Sequence, residues 1–320
     1  MNQPGNGVVS CPWTNGYGLG RSLLATSTLV TLLAHDPVIL FRPLGIGVAD
    51  LATTLPLVEL SLFSLLSEHL VLAKWIAIGV LLVVVSGWRP RVTGVLHWWV
   101  SYSFTTSCVI VEGGDQVVSV LALLLIPVTL TDPRRSHWSA CSLPLQGESF
   151  RRMLAVSVLW AVRLQVSAIY FFAFLGKSRV DEWANGTAIY YWSVHPLFGA
   201  SGVVRDGLEP ILTNRFGVVV LTWAVIAFEA LLAAGLVMKD ELRLRLLVLG
   251  LAFHAAIAIL HGLVTFSLGM AGGLILYLRP VGQPLDVSGL LVRLRRLSRP
   301  FLRYSLPEIS TPEGVSGRAQ

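Results

Sequence analysis

Long apolar runs recur along this chain, separated by short polar segments that carry most of its arginines. Roughly 20 apolar residues of helix cross a hydrocarbon core of about 30 Å. On that ruler eight runs read as membrane spans: residues 18–34, 70–87, 92–111, 115–130, 153–176, 216–238, 246–262 and 264–279. The runs 115–130 and 264–279 are the shortest. Leu57–Leu66 is too short to cross, carries Glu59 and predicts an interfacial or re-entrant helix. No basic segment precedes the first run, which is therefore expected to remain as a span rather than be cleaved as a signal peptide. The pattern predicts an all-α integral membrane protein of about eight transmembrane helices plus a short interfacial helix.

Composition supports this. Hydrophobic residues make up 54% of the 320 positions, charged residues only 13%, and the mean hydropathy is +0.70. Such a chain has too little polar surface to cover a soluble domain. The net charge of +6 comes mainly from arginines at segment ends, a pattern of membrane topology and anionic lipid contact rather than of nucleic-acid binding. Cys11, Cys108 and Cys141 stand in no metal or redox spacing, so no internal disulfide framework is expected, and their odd number argues against full pairing.

Arginine placement sets the orientation, because short cytoplasmic loops collect Lys and Arg. With the N-terminus inside, the cytoplasmic sets are Arg89 and Arg91; Arg134, Arg135, Arg151 and Arg152; and Lys239, Arg243 and Arg245. The tail adds Arg279, Arg293, Arg295, Arg296, Arg299, Arg303 and Arg318, which brings 16 of the 24 basic residues to one side. The outer stretches hold Arg42, Lys177, Arg179, Arg205 and Arg215. The expected organisation is a cytoplasmic segment 1–17, a transmembrane domain 18–280, and a cytoplasmic segment 281–320, N-in and C-in. In the last, Gly289–Arg303 interleaves leucines with arginines as a short basic amphipathic helix would.

Ionisable residues inside spans are costly and usually face the bundle interior, so each is a candidate site. Arg163, Tyr170 and Lys177 follow one another at intervals of seven and share a helix face. Arg163, Glu229 and His254 lie about 8–10 residues from the cytoplasmic ends of their spans, or about 12–15 Å deep at 1.5 Å per residue. An Arg163–Glu229 pair with His254 nearby is geometrically allowed, either as a packing contact or on a proton or substrate path. Toward the outer face lie Lys177, Glu112 and Asp115 of a tight turn, His261 and His195. Tyr170, Trp183, Asn185 and the tyrosines after it complete the stretch Gln165–Trp192. Lys177, one of only three lysines, is either a snorkelling anchor or the working group of an outward-facing cavity. Desolvation at an apolar edge favours the neutral amine of a lysine, the form that acts as base or nucleophile. No metal-binding motif and no Walker or dinucleotide-binding motif is present.

Two resemblances attach to these residues. Tyr170-Phe171-Phe172-Ala173, then Lys177, Trp183 and Gly186, resembles the membrane portion of vitamin K-dependent gamma-carboxylases and, more broadly, the horizontally transferred transmembrane (HTTM) family. That resemblance implies Lys177 as the base of the site and a reduced quinone as a cofactor. The sequence departs from the carboxylases in lacking a counterpart of their large lumenal domain, and in carrying Gly176 where they have the first of two adjacent lysines. The opening Pro12-Trp13-Thr14-Asn15-Gly16-Tyr17-Gly18-Leu19-Gly20-Arg21-Ser22, with Phe41-Arg42-Pro43 and Glu112-Gly113-Gly114-Asp115-Gln116, resembles the sporulation-delaying protein B family. It implies a multi-pass cell-membrane protein that works on a secreted antimicrobial or signalling peptide precursor with a companion maturation protein. On this reading Lys177 and His261 are the candidate catalytic residues. Arg163, Tyr170, Trp183, Asn185, Glu229, His254, Glu112 and Asp115 are the candidate cavity residues. A non-enzymatic chaperone, immunity or export partner of such a peptide is the alternative.

Overall fold

The computed structural model describes residues 11–41, 58–141, 149–196 and 198–286. Within them each apolar run is a helix, and no strand occurs. The long helices are α1 (Asn15–Ala34), α2 (Leu70–Ser86), α3 (Pro90–Ser107), α4 (Gly113–Thr131), α5 (Ser149–Lys177), α6 (Arg215–Ala234), α7 (Asp240–His261) and α8 (Val264–Leu278). Five stretches are long and apolar enough to cross a membrane: Ser67–Ser86, Gly113–Thr131, Phe150–Lys177, Arg215–Val237 and Asp240–His261. α8 is apolar but has 15 residues, while α1 and α3 have the length but are rich in glycine, serine and threonine. Of the expected interfacial segment Leu57–Leu66, Leu57 lies outside the described residues and the rest forms a turn and the short helix Leu62–Leu65, followed by a 3₁₀ turn, Ser67–His69. Residues 1–283 form one compact unit and 284–320 a second, in which 287–320, with the basic run Gly289–Arg303, lie outside the described residues.

Local chemistry explains where the helices begin and end. Thr14 caps α1 by accepting from the Tyr17 N–H at 3.2 Å, and Asn214 caps α6 by accepting from Phe216 and Gly217. Pro90 opens α3 at a position where its missing N–H costs nothing. Glu112 and Asp115 form a capping box on α4. α2 and α7 stop at Gly87 and Gly262, whose φ values of 81° and 69° are the left-handed turn that glycine adopts without strain. Short connections make α2, α3 and α4, and α6, α7 and α8, successively antiparallel, and the bundle has two ends, one carrying Arg21 with His137 and the other Lys177.

Between helices in an apolar medium, association depends on close packing rather than on the hydrophobic effect. α1 and α8 meet through small residues. A Cβ at Gly272 would stand 2.8 Å from the Gly20 carbonyl oxygen, and one at Gly20 would stand 2.7 Å from Leu276. Farther along the same seam the Ser27 hydroxyl donates to the Thr265 carbonyl at 2.8 Å. Two apolar clusters flank α1: one with α4, α5 and α6–α8, the other with α2, α3 and the short helices before them.

The cysteine expectation fails in one part, the absence of a disulfide, while the cysteines are not fully paired, as their odd number implied. Cys11 and Cys141 form a disulfide across 130 residues, and Cys108 is the free thiol. Sequence spacing carried no sign of it because the partners meet only when α1 and α4 pack together.

Candidate functional site

Lys177 is the last residue of α5. Side chains on a helix lean toward its N-terminus, so Lys177 drops back along α5 toward the middle of α6. Its Nζ lies 2.8 Å from Glu229 Oε1, with the lysine side chain 27% exposed and the glutamate 8%. Trp183, on the short helix Asp181–Ala184, places its ring 5.4 Å from Nζ, a cation–π contact that closes the Lys177 end. The register of α5 and α6 is fixed lower down, where the Ser167 hydroxyl donates to the Ala233 carbonyl at 2.8 Å.

Tyr170 lies on the same face of α5, about 10 Å along the axis from Lys177. Its hydroxyl is 2.8 Å from His254 Nε2, and both residues are buried. The rings of Phe253 and Phe266 pack against His254 at 5.2 and 5.6 Å. Two buried polar atoms of this group, Glu229 Oε2 and His254 Nδ1, have no hydrogen-bond partner among the described residues. Buried polar atoms are ordinarily paired, so these mark the point at which a water or a substrate group would complete the site. Between α5 and α6 opens a cavity of about 500 Å³ lined by Leu164, Phe171, Phe174, Ala230, Ala233 and Ala234, with Ser167 and Ala168; Lys177, Glu229, Tyr170 and His254 do not line it.

The other predicted residues serve elsewhere. Arg163 does not reach Glu229. Its guanidinium donates to the Arg279 carbonyl and lies 4.7 Å from the Trp160 ring. Arg243 donates to the Tyr277 carbonyl at 3.0 Å, so two arginines satisfy the C-terminal end of α8 and complement its dipole. His261 Nδ1 meets the Phe198 carbonyl at 2.9 Å, with Trp192 at 6.3 Å, in the packing of the long connection. Asn185 accepts from the Thr187 N–H and hydroxyl, shaping the turn that contains Gly186. Glu112 and Asp115 are occupied by their capping box, with the Thr265 hydroxyl 3.4 Å from Glu112 Oε2. They touch the site indirectly: Gly114 leaves room for Phe266, whose ring packs on His254.

A second polar cluster, at the opposite end, went unread in the sequence. Arg21 is fully buried, and its guanidinium donates to Thr93 Oγ1 at 2.7 Å and sits 3.3 Å from His137 Nδ1. His137 Nε2 meets Ser22 Oγ at 3.2 Å. Burial, with Arg21 and then Arg134 nearby, lowers the His137 pKa to about 3, so the ring is neutral at physiological pH. Arg134 in turn pairs with the buried Asp132 at 2.8 Å. The available signal was a lone arginine inside the first apolar run. It lies in the Pro12–Ser22 motif, whose spacing does not distinguish a family mark from a structural hub.

No family model matches the sequence, and no solved structure does. Two curated relatives from Bacillus subtilis (strain 168) do. The uncharacterized protein YitO is 39% identical over 281 residues, covering 87% of this chain and 89% of YitO. Sporulation-delaying protein SdpB is 38% identical over 281 residues, covering 87% of this chain and 85% of SdpB. Identity at that level across nearly the whole length of both proteins places this chain in the family of the sporulation-delaying protein SdpB.

Proposed function

We propose that this protein is a multi-pass cell-membrane component in the production of an exported antimicrobial or signalling peptide, and that Lys177 is the centre of its working site. The observation that carries the reading is the relation to SdpB over 87% of the chain. All eight long helices cross the bilayer in this reading, including the short α8 and the glycine-rich α1. The arginine bias puts the Arg21 end inside, with the segment 281–320 on the cytoplasmic leaflet and the Lys177 end outside. A secreted precursor peptide and a companion maturation protein are the partners expected there.

The chemistry rests on the contact of Lys177 with Glu229. One proton moved along that 2.8 Å contact converts ammonium and carboxylate into amine and carboxylic acid. Only the second arrangement presents a basic nitrogen, and the apolar walls around it limit competition from water. Glu229 then stores the proton, Trp183 covers the amine, and the Tyr170–His254 pair supplies a second hydrogen-bonded step at the base of the site. The resemblance to the carboxylases names a reduced quinone as a cofactor. The two buried atoms without a partner, Glu229 Oε2 and His254 Nδ1, suit the hydroxyl groups of such a molecule, and the apolar cavity between α5 and α6 suits its apolar part. Such a cofactor supplies reducing equivalents when bound.

The contact of Lys177 with Glu229 also favours a second reading. A complete ion pair between α5 and α6 is what a non-enzymatic chaperone or export partner needs to hold two helices together. Mass spectrometry of the partner peptide, made with wild-type protein, Lys177→Ala and Lys177→Arg, separates the two. Loss of mature peptide in both variants at normal protein levels supports the chemical reading. Unchanged maturation in both removes it.

A further inference from the structure

The Cys11–Cys141 disulfide lies at the end of the bundle that carries Arg89, Arg91, Arg134, Arg135, Arg243 and Arg245. Loops of that composition stay in the cytoplasm. Structural disulfides do not persist there in ordinary bacteria, and those found are usually transient and redox-sensing. A disulfide at an arginine-rich end therefore has a different character from one that staples an exported domain.

We propose that Cys11–Cys141 is a reversible thiol–disulfide clasp on the cytoplasmic face. This rests on the orientation given above. The clasp has two short arms, and both lead to the same buried contact. Arg21 lies ten residues after Cys11, and His137 lies four residues before Cys141. The two side chains meet at 3.3 Å, so the disulfide closes a small ring around the buried guanidinium. On the first arm Trp13, 1% exposed, donates its indole N–H to the Val128 carbonyl of α4 at 3.1 Å, and Thr14 caps α1. With the bond broken, the first arm keeps the Trp13 indole hydrogen bond, the Thr14 cap and the buried Tyr17 but loses its covalent tie to Cys141. The second arm keeps the Arg134 hydrogen bonds to the His137 and Ser139 carbonyls and, among the described residues, meets α1 through the contacts of His137 with Gly18, Arg21 and Ser22.

The chemistry is thiol–disulfide exchange with a cytoplasmic dithiol. A thiolate of the reductant attacks the more accessible Cys141 sulfur. The Sγ–Sγ bond breaks and Cys11 leaves as a thiolate that takes up a proton. The second thiol of the reductant then displaces Cys141 and forms the reductant's own disulfide. Two electrons and two protons pass to the protein, giving two thiols. A small disulfide oxidant drives the reverse.

Thiol trapping of the full-length protein in growing cells tests this, in a Cys108→Ser background so that only the clasp is counted. The expected result is a disulfide fraction that falls after a pulse of dithiothreitol, rises after diamide and reverses when either is washed out. A bond that never forms overturns the proposal, as does one that ignores both reagents. Released thiols that react with a membrane-impermeant maleimide on intact cells place this end outside. That outcome overturns the clasp's cytoplasmic role and the orientation together, and leaves the Lys177 site to its own test. In detergent, reduction is expected to lower the thermal midpoint by ~5 °C or more, and Cys11→Ser or Cys141→Ser to start low and not respond. An unmoved midpoint on reduction means the bond carries no conformational load, which also overturns the proposal.

Discussion

Lys177 on α5 and Glu229 on α6 are joined at 2.8 Å, although the lysine ends its helix and the glutamate lies well inside its own. The pair couples a partly exposed cation to a buried anion. Exchanging the two, as Lys177→Glu with Glu229→Lys, is expected to restore the thermal midpoint lost by either single change. Peptide maturation is expected to stay absent in the exchanged protein. If maturation returns with stability, the pair is structural and the proton-transfer reading fails.

Tyr170→Phe removes the hydroxyl that meets His254 and leaves Nε2 buried without a partner. An unsatisfied buried group costs about 1–3 kcal/mol, so the variant should still accumulate in membranes. Peptide production is expected to fall by roughly tenfold or more, as a factor of ten corresponds to about 1.4 kcal/mol of lost transition-state stabilisation. Production per molecule equal to wild type would exclude Tyr170 from the site.

Glycine at 272 is expected to matter more than glycine at 20. A Cβ at 272 would stand 2.8 Å from the Gly20 carbonyl oxygen and 3.1 Å from the Leu24 backbone N, whereas one at 20 meets the Leu276 side chain at 2.7 Å and backbone only at 3.2 Å. Gly272→Ala should cost about 1–3 kcal/mol, seen as a lower thermal midpoint in detergent, and Gly20→Ala less. Equal effects would mean that the seam between α1 and α8 adapts.

His137 gives the protein an acid-side slope. Its folded pKa of about 3 lies below the value of about 6.5 expected for an unfolded histidine. Between those values the unfolded chain binds more protons, so stability falls as pH is lowered through that window and is level above it. Thermal midpoints from pH 4 to 8, compared with those of His137→Gln, isolate the contribution. The variant should be less stable near neutrality, and its midpoint should change less on acidification. Parallel curves would assign the slope to other groups.

The helices were legible in the sequence because apolar run length is a local property, read without knowing any neighbour. Pairing across helices was not. Depth counting made Arg163 and Glu229 level, but helices of unequal length do not start at one plane. The contact of Ser167 with Ala233 sets the register, and four residues on from Ser167 and four back from Ala233 bring Phe171 opposite Glu229. Arg163 is thereby left beside the end of α8, and the long lysine reaches the glutamate. Of the candidate residues, Lys177, Tyr170, Trp183, Glu229 and His254 come together. Glu112, Asp115, Asn185, Arg163 and His261 are held by caps, turns and carbonyls that sequence spacing does not distinguish from a site. The Arg21 cluster was hidden because its partners come from three separate stretches of chain.

The glycine seam between α1 and α8 has a consequence for biogenesis. The first long helix of the chain finds its mate only when the last one emerges, as in the contact of Ser27 with Thr265 across 238 residues. Until α8 is made, the glycine face of α1 has no partner along this seam, whereas the partners of Arg21, Thr93 and His137, are already in the chain. A chain that stops before α8 would therefore hold its Arg21 cluster and still leave the α1 seam open.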